Sequence, residues 1–202
     1  MTHSVATELG YKVIQQSEYS CMPWKNGLGE TFEIVVNQNQ QGQRFRISQA
    51  TVVEDGIFSD FSGLDRTLVL LSGEGIRLSH RSVEDISTHT QLNAALDIAR
   101  FAGGDHTYAE LTNGGIEDLN IMVRETDTLS KVQACFAPES MTITGDNRSL
   151  INAFYANQTC VITTELTGHL SLNAHSFLLI GQACELQLNQ GSGVFIQIYP
   201  KP

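Results

Sequence analysis

The residues best suited to chemistry sit in Met22-Pro23-Trp24-Lys25-Asn26-Gly27-Leu28-Gly29-Glu30-Thr31. This stretch gathers the chain's single tryptophan, a lysine, a side-chain amide and two glycines into one turn-like segment. Glycines let backbone approach a ligand, the indole offers a flat apolar wall, and Lys25 and Asn26 offer an anion partner and a hydrogen-bonding fork. A core tryptophan at the opening of a hairpin, beside a snorkelling lysine, accounts for the same letters. The next strand, Arg44-Phe45-Arg46-Ile47-Ser48-Gln49-Ala50, alternates. Phe45, Ile47 and Gln49 share one face, while Arg46, Ser48 and Ala50 share the other. That second face suits the wall of a polar cavity, although an edge strand with an exposed arginine is the competing explanation.

Other chemistries have little behind them. The six histidines, His3, His80, His89, His106, His169 and His175, form neither an H-x-H pair on a strand nor an H-x-x-x-H pair on a helix. Exposed or loop histidines are the plain reading, so no structural or catalytic metal is expected. No G-x-S-x-G elbow is present, and no cysteine sits in an electropositive, helix-opening context. Gly27-Leu28-Gly29 lacks the third glycine and the following helix of a phosphate cradle. No cofactor is expected.

The elements that position these residues read as β-strands. Thr31–Val36, Phe45–Val53, Thr67–Leu71, Ile76–His80, Tyr108–Leu111 and Ile116–Val123 are rich in β-branched and aromatic residues. So are Lys131–Phe136, Cys160–Glu165, Phe177–Ile180, Cys184–Leu188 and Val194–Tyr199. Turn chemistry separates them, as in Ser72-Gly73-Glu74-Gly75 and Thr112-Asn113-Gly114-Gly115. Short strands at close spacing predict an all-β chain built as a sandwich or barrel of antiparallel sheet. Ser149–Ala156 reads as one short helix, and Leu92–Arg100 as helix or strand. Leu70–Leu78 parallels Leu178–Leu186, an offset that suits a duplicated barrel.

The chain has 202 residues, with 12 Lys and Arg against 22 Asp and Glu, a net charge of −10 and a pI near 4.9. Length and 41% hydrophobic content allow a sizeable core. The acidity argues against general nucleic-acid binding and against docking on an anionic membrane. Cys21, Cys135, Cys160 and Cys184 are far apart with no C-x-x-C pair, which predicts buried free thiols in a reducing cytoplasm. No basic-then-apolar signal follows Met1, and aliphatic runs such as Leu68–Leu71 are far below a membrane span. A cytoplasmic location is expected.

Several motifs, taken together, carry a resemblance. Trp24-Lys25-Asn26-Gly27-x-Gly29-x-Thr31-x-Glu33-Ile34 is followed by Phe45-Arg46-x-Ser48-x-Ala50 and Asp55-Gly56-x-Phe58-Ser59-x-Phe61-x-Gly63-x-Asp65-Arg66. Leu68–Leu71, Gly73, Gly75, Phe101-Ala102-Gly103-Gly104-Asp105 and Asp118-Leu119-Asn120-Ile121-Met122-Val123-Arg124 complete the series. In this order they resemble the HutD/Ves family of bacterial bicupin proteins, over roughly residues 20–125. Phe45 stands where tryptophan is common in that family, Leu28 replaces a small residue, and Ser62 takes a usual proline position.

The resemblance implies a bicupin: two cupin-like antiparallel β-barrels, or jelly rolls, packed as one unit. The first lobe is expected over residues 18–125 and the second over 126–202, with 1–17 an N-terminal strand or arm. The family is linked to histidine utilisation, and it looks like a non-enzymatic binding or regulatory protein for a metabolite of the N-formylglutamate or urocanate type. A small carboxylate needs cations, and Lys25, Arg46 and Arg66 each lie inside a matched motif. Arg46 is expected as the principal anchor, with Trp24 as wall and Asn26 and Ser48 as hydrogen-bonding partners. Asn120 and Met122 are expected lining, and Asp118 is read as an ion-pair partner for Arg46 or Arg66. A metal-independent hydrolase or isomerase, with Glu30 or Glu33 as base near Lys25, is the other reading. The expected partner is a small organic anion, with no nucleic acid, no membrane, and at most a second copy of the chain in a homodimer.

Overall fold

The computed structural model describes residues 10–24, 29–144, 149–166 and 168–202. The chain divides into two compact units: Ser20–Thr128, and Leu129–Pro202 together with the chain up to Tyr19. Strand β1 (Tyr11–Ile14) belongs to the second of these, where it pairs with residues 177–180 as an edge strand. The segment 1–17, read from sequence as an N-terminal strand or arm, thus includes a strand, and it belongs to the carboxy-terminal unit.

Ser20–Thr128 contributes β2 (Ser20–Pro23), β3 (Gly29–Asn39), β4 (Gly42–Val52), β5 (Gly56–Ile57) and β6 (Leu64–Ser72). It continues with β7 (Ile76–Arg81), β8 (Ser87–Leu92), β9 (Ile98–Ala102), β10 (His106–Leu111) and β11 (Ile116–Arg124). These form a six-stranded sheet, β2-β3-β4-β11-β6-β9, and a four-stranded sheet, β5-β10-β7-β8. Leu68 and Leu70 of the larger sheet share one apolar cluster with Ile76, Leu78 and Ala109 of the smaller, so the sheets close face to face. The β6–β7 turn carries the chain from one sheet to the other. Gly73 and Gly75 take φ of +102° and +126° there, and a Cβ on Gly73 would lie 2.6 Å from Ile116 Cγ2.

The other unit is built from β12 (Thr128–Phe136), β13 (Glu139–Ile143), β14 (Ile151–Ala156), β15 (Cys160–Thr164) and β16 (Gly168–Leu172). Strands β17 (Phe177–Ile180), β18 (Cys184–Gln190) and β19 (Ser192–Pro200) complete it. Its sheets run β1-β17-β14-β19-β12 and β13-β18-β15-β16. Strands β12 to β19 take the places of β4 to β11 in the same order, whereas β1, β2 and β3 have no counterpart in the other unit. The two units therefore share a strand order, but the correspondence is not the one read from sequence. The hairpin β6–β7 corresponds to β14–β15, and Leu178–Leu186 belongs to the equivalent of β9–β10.

Two further expectations are corrected. Ser149–Ala156 is no helix: Ile151–Ala156 is strand β14, buried at every position between two neighbours. A strand covered on both faces shows no alternation, and that removes the signal separating it from a buried helix. Leu92–Arg100 is the end of β8, a turn, and the start of β9. All described pairings between strands are antiparallel.

Candidate functional site

The site grows from the centre of the six-stranded sheet, where β11 lies between β4 and β6. Register sets the side chains in rows: Arg46, Met122 and Arg66 in one, Ser48, Asn120 and Leu68 in the next, then Ala50, Asp118 and Leu70. Period-two alternation turns all three rows to one face of the sheet. Ile47, Leu119, Ile121 and Val69 occupy the opposite face, and these four are fully buried. The polar rows open onto a cavity of about 570 Å³, within the range for small-molecule sites.

Arg66 is the buried cation of this cavity, only 5% exposed. Its Nη2 donates to Asn120 Oδ1 at 2.7 Å, while its Nε has no hydrogen-bond partner among the described residues. The guanidinium carbon lies 5.1, 5.2 and 4.9 Å from the ring centres of Phe58, Phe61 and Phe101. Three aromatic rings can replace part of a cation's hydration, and a planar, weakly hydrated guanidinium suits that better than an ammonium. Burial lowers the Arg66 pKa to about 10, against the opposing pull of Asp118, so it keeps its proton at neutral pH.

Asn120 links Arg66 to Asp118. Its Nδ2 donates to Asp118 Oδ1, and its Oδ1 receives Arg66. Burial pushes the Asp118 carboxyl up to about 7, despite the attraction of Arg66. The ion pair read from sequence between Asp118 and one of the arginines is not formed among the described residues; Asn120 stands between Asp118 and Arg66 instead.

Arg46 is held differently. Its Nε lies 2.8 Å from Glu33 Oε2 across the β3–β4 pairing, in an ion pair whose N–H is poorly aligned for a hydrogen bond. Trp24 supplies a wall: its indole donates to Thr31 Oγ1 at 2.9 Å, and its backbone N–H to Gly29 O at 2.9 Å. Gly29 makes that packing feasible, because a Cβ there would meet Thr51 O at 2.4 Å and Trp24 Cε3 at 3.0 Å.

Six residues singled out in the sequence, Trp24, Arg46, Ser48, Arg66, Asn120 and Met122, line this one cavity. Lys25 and Asn26 lie outside the described residues. Sequence reasoning missed the aromatic box around Arg66, although Phe58 and Phe61 stand in the same motif as the arginine. It also missed Glu54 and Asp55 in the lining. His80 is a correction: it is buried in β7, its Nδ1 3.0 Å from Thr107 Oγ1 and its ring stacked on Phe101. Among the described residues, no three His, Cys, Asp or Glu side chains gather as a metal site.

In the other unit the corresponding interior is apolar. Phe154 and Phe195 face each other across β14 and β19, with Cys135, Leu178 and Leu186 in the same cluster.

Known proteins resemble this chain in sequence and in fold. A model of the HutD family matches residues 16–196. An uncharacterized 21.2 kDa protein in the hutC 3′ region of Pseudomonas putida is 33% identical over 113 residues, 55% of this chain and 57% of that relative. The chain thus spans about half the length of the curated relatives it matches. The structure of HutD from Pseudomonas fluorescens SBW25, from a formate condition, superposes with a TM-score of 0.78 at 22% identity, over 95% of this chain and 100% of that one. Oxalate decarboxylase of Lactobacillus farciminis, in its formate complex, gives a TM-score of 0.65 at 9% identity, covering 99% and 88%. These likenesses establish a cupin-type fold.

Proposed function

This chain belongs to the HutD family, and from that membership and the chemistry of its cavity we propose that it is a non-enzymatic binding or regulatory protein for a small carboxylate metabolite. Histidine utilisation is the metabolic setting, supported by the position of the Pseudomonas putida relative in the hutC 3′ region. Ligands of the N-formylglutamate or urocanate type suit the cavity's volume and its mixture of one deep cation with aromatic and apolar walls. The observation that carries the reading is Arg66, a buried guanidinium on the cavity wall, steadied by Asn120 Oδ1 at 2.7 Å and three phenyl rings and with no ion-pair partner among the described residues. A preorganised arginine of this kind is a carboxylate partner. The surroundings are read as cytoplasmic, since the cysteines are free thiols, Cys135, Cys160 and Cys184 buried as expected and Cys21, contrary to expectation, exposed. No helix among the described residues is long and apolar enough to cross a membrane.

Turnover is the second reading, and Asp118 favours it: a carboxyl group held near neutrality beside a cation can move a proton. Glu33 is less suited as a base because Arg46 holds it, and Glu30 accepts from Cys21 Sγ at 3.4 Å.

Isothermal titration with N-formylglutamate, urocanate, glutamate and histidine tests the binding reading. Saturable binding of one of the first two is expected, weakened on the order of a hundredfold by Arg66→Gln and unchanged by Arg77→Gln on the outer surface. An absence of binding to all four at millimolar concentration sinks it. NMR of the same mixtures over a day separates the two readings, with unchanged metabolite expected and a new product signal favouring turnover.

A further inference from the structure

Asp118 lines the cavity at 1% exposure, one row from Asn120. Asn120 Nδ2 engages its Oδ1, and among the described residues it makes no direct ion pair. The charges around it are few. Arg66 on β6 reaches it through Asn120, while Arg46 on β4 is already held by Glu33 of β3. Glu117, next on its own strand, accepts from Gln49 Nε2 at 3.2 Å and Ser72 Oγ at 3.0 Å. Glu54 and Asp55 line the same cavity from the segment after β4, and Asp55 is engaged by the Leu111 N–H at 2.7 Å. Its cross-strand neighbours Ala50 and Leu70 carry no charge, and neither does Ala109 of the facing sheet. A carboxylate here has one amide donor and one cation, and a ligand anion arriving at that cation would compete for it.

We propose that Asp118 is itself a ligand-binding residue: its carboxyl group carries a proton and donates it in a hydrogen bond to the carboxylate held by Arg66, so that the anion enters together with one proton. This rests on the reading of the cavity as a carboxylate site. No bond other than O–H is made or broken, and the proton comes from solvent. Because burial already brings Asp118 to about 7, the free site is half protonated near neutrality, and a bound anion raises its proton affinity further. Affinity is therefore level below about pH 7 and falls as the pH rises beyond it, each proton taken up giving about a tenfold loss per pH unit.

The test is isothermal titration of N-formyl-L-glutamate, whose carboxyl groups do not titrate above about pH 6. It is run near pH 6 and pH 8 in two buffers of different ionisation enthalpy. Wild-type protein is expected to take up close to one proton at the higher pH and to bind there about tenfold more weakly. Asp118→Asn, whose amide donates without titrating, is expected to bind equally at both pH values and more tightly than wild type at the higher one. Equal wild-type affinity at both pH values with no buffer-dependent heat overturns the proposal, as does an unchanged pH slope in the variant. Should Asp118→Asn fail to fold, the wild-type proton count decides alone. No heat at either pH removes the carboxylate reading and this proposal with it, whereas binding without proton uptake removes only the role of Asp118.

Discussion

Arg46 and Arg66 flank Met122 in one row of the sheet, yet their surroundings make them unequal partners for an anion. Arg66 is enclosed by three phenyl rings and shares Asn120 with a carboxyl that burial holds near neutrality. Arg46 is more open, at 15% side-chain exposure, and Glu33 already offsets its charge. Its inward direction was legible from the alternation Arg46-x-Ser48-x-Ala50, and sequence favoured it as the anchor because a guanidinium binds a carboxylate bidentately. Glu33 was not legible as its partner, because a register shift between Glu33 and Val35 breaks the period-two count across β3 and β4. The ion pair leads to a prediction that the choice between the arginines does not. Glu33→Gln frees Arg46 and is expected to raise affinity for N-formylglutamate about two- to fivefold at low ionic strength. The gain should shrink in about 0.5 M salt, since the pair is partly exposed. Unchanged affinity in low salt would place Arg46 outside the ligand's field.

Strands position these side chains, and the close approach of Gly29 to β4 and to Trp24 shows how little slack they leave. Gly29 opens β3 with Thr51 O only 2.4 Å from where a Cβ would stand. The obstacle is backbone and cannot swing aside. Gly29→Ala is therefore expected to part β3 from β4 locally and dislodge the indole, at a cost of about 1–3 kcal/mol in stability. As Trp24 is the only tryptophan, its emission reads the event directly, and a red shift is the expected result. An unshifted spectrum with wild-type stability would contradict the packing. Sequence exposed this element well because a tryptophan, glycines and an alternating strand each leave a local mark. It exposed β14 poorly, since Ile151–Ala156 is buried on both faces and includes two alanines and an asparagine, which do not favour strands. The internal repeat was visible for a similar reason and misplaced for the same one. Apolar strand, glycine turn and alternating strand describe both β6–β7 and β17–β18, and only the order of strands within the sheets shows that these are not equivalent.

At the scale of the whole molecule, the chain carries a net charge of −10, and its two units differ in their interiors. One carries an arginine and a carboxyl on its inner wall, while the other fills the matching space with Phe154, Phe195 and aliphatic side chains. The two units thus share a strand order but not an interior, and the buried ionisable groups of the first have a consequence for stability. The Asp118 carboxyl rises from 3.8 to about 7 on folding, so the native state binds its proton more tightly than the unfolded chain does. The stability that this proton brings is complete below about pH 4, and it is lost as the pH climbs to about 7 and level beyond. Asp60 and Asp127 work in the opposite sense: hydrogen bonds from Ser62 and from Arg124 hold them below the usual carboxylate range, which favours the fold as they ionise. Their contribution is common to wild type and Asp118→Asn, so it cancels in the comparison. Calorimetric melting is expected to give nearly equal midpoints for the two proteins at about pH 4. At about pH 8 the variant should be more stable by roughly 2–4 kcal/mol, or about 5–10 °C. A wild-type protein as stable as the variant at pH 8 would mean that Asp118 folds as an ordinary, solvated carboxylate, and the cavity would then lack the proton that distinguishes it.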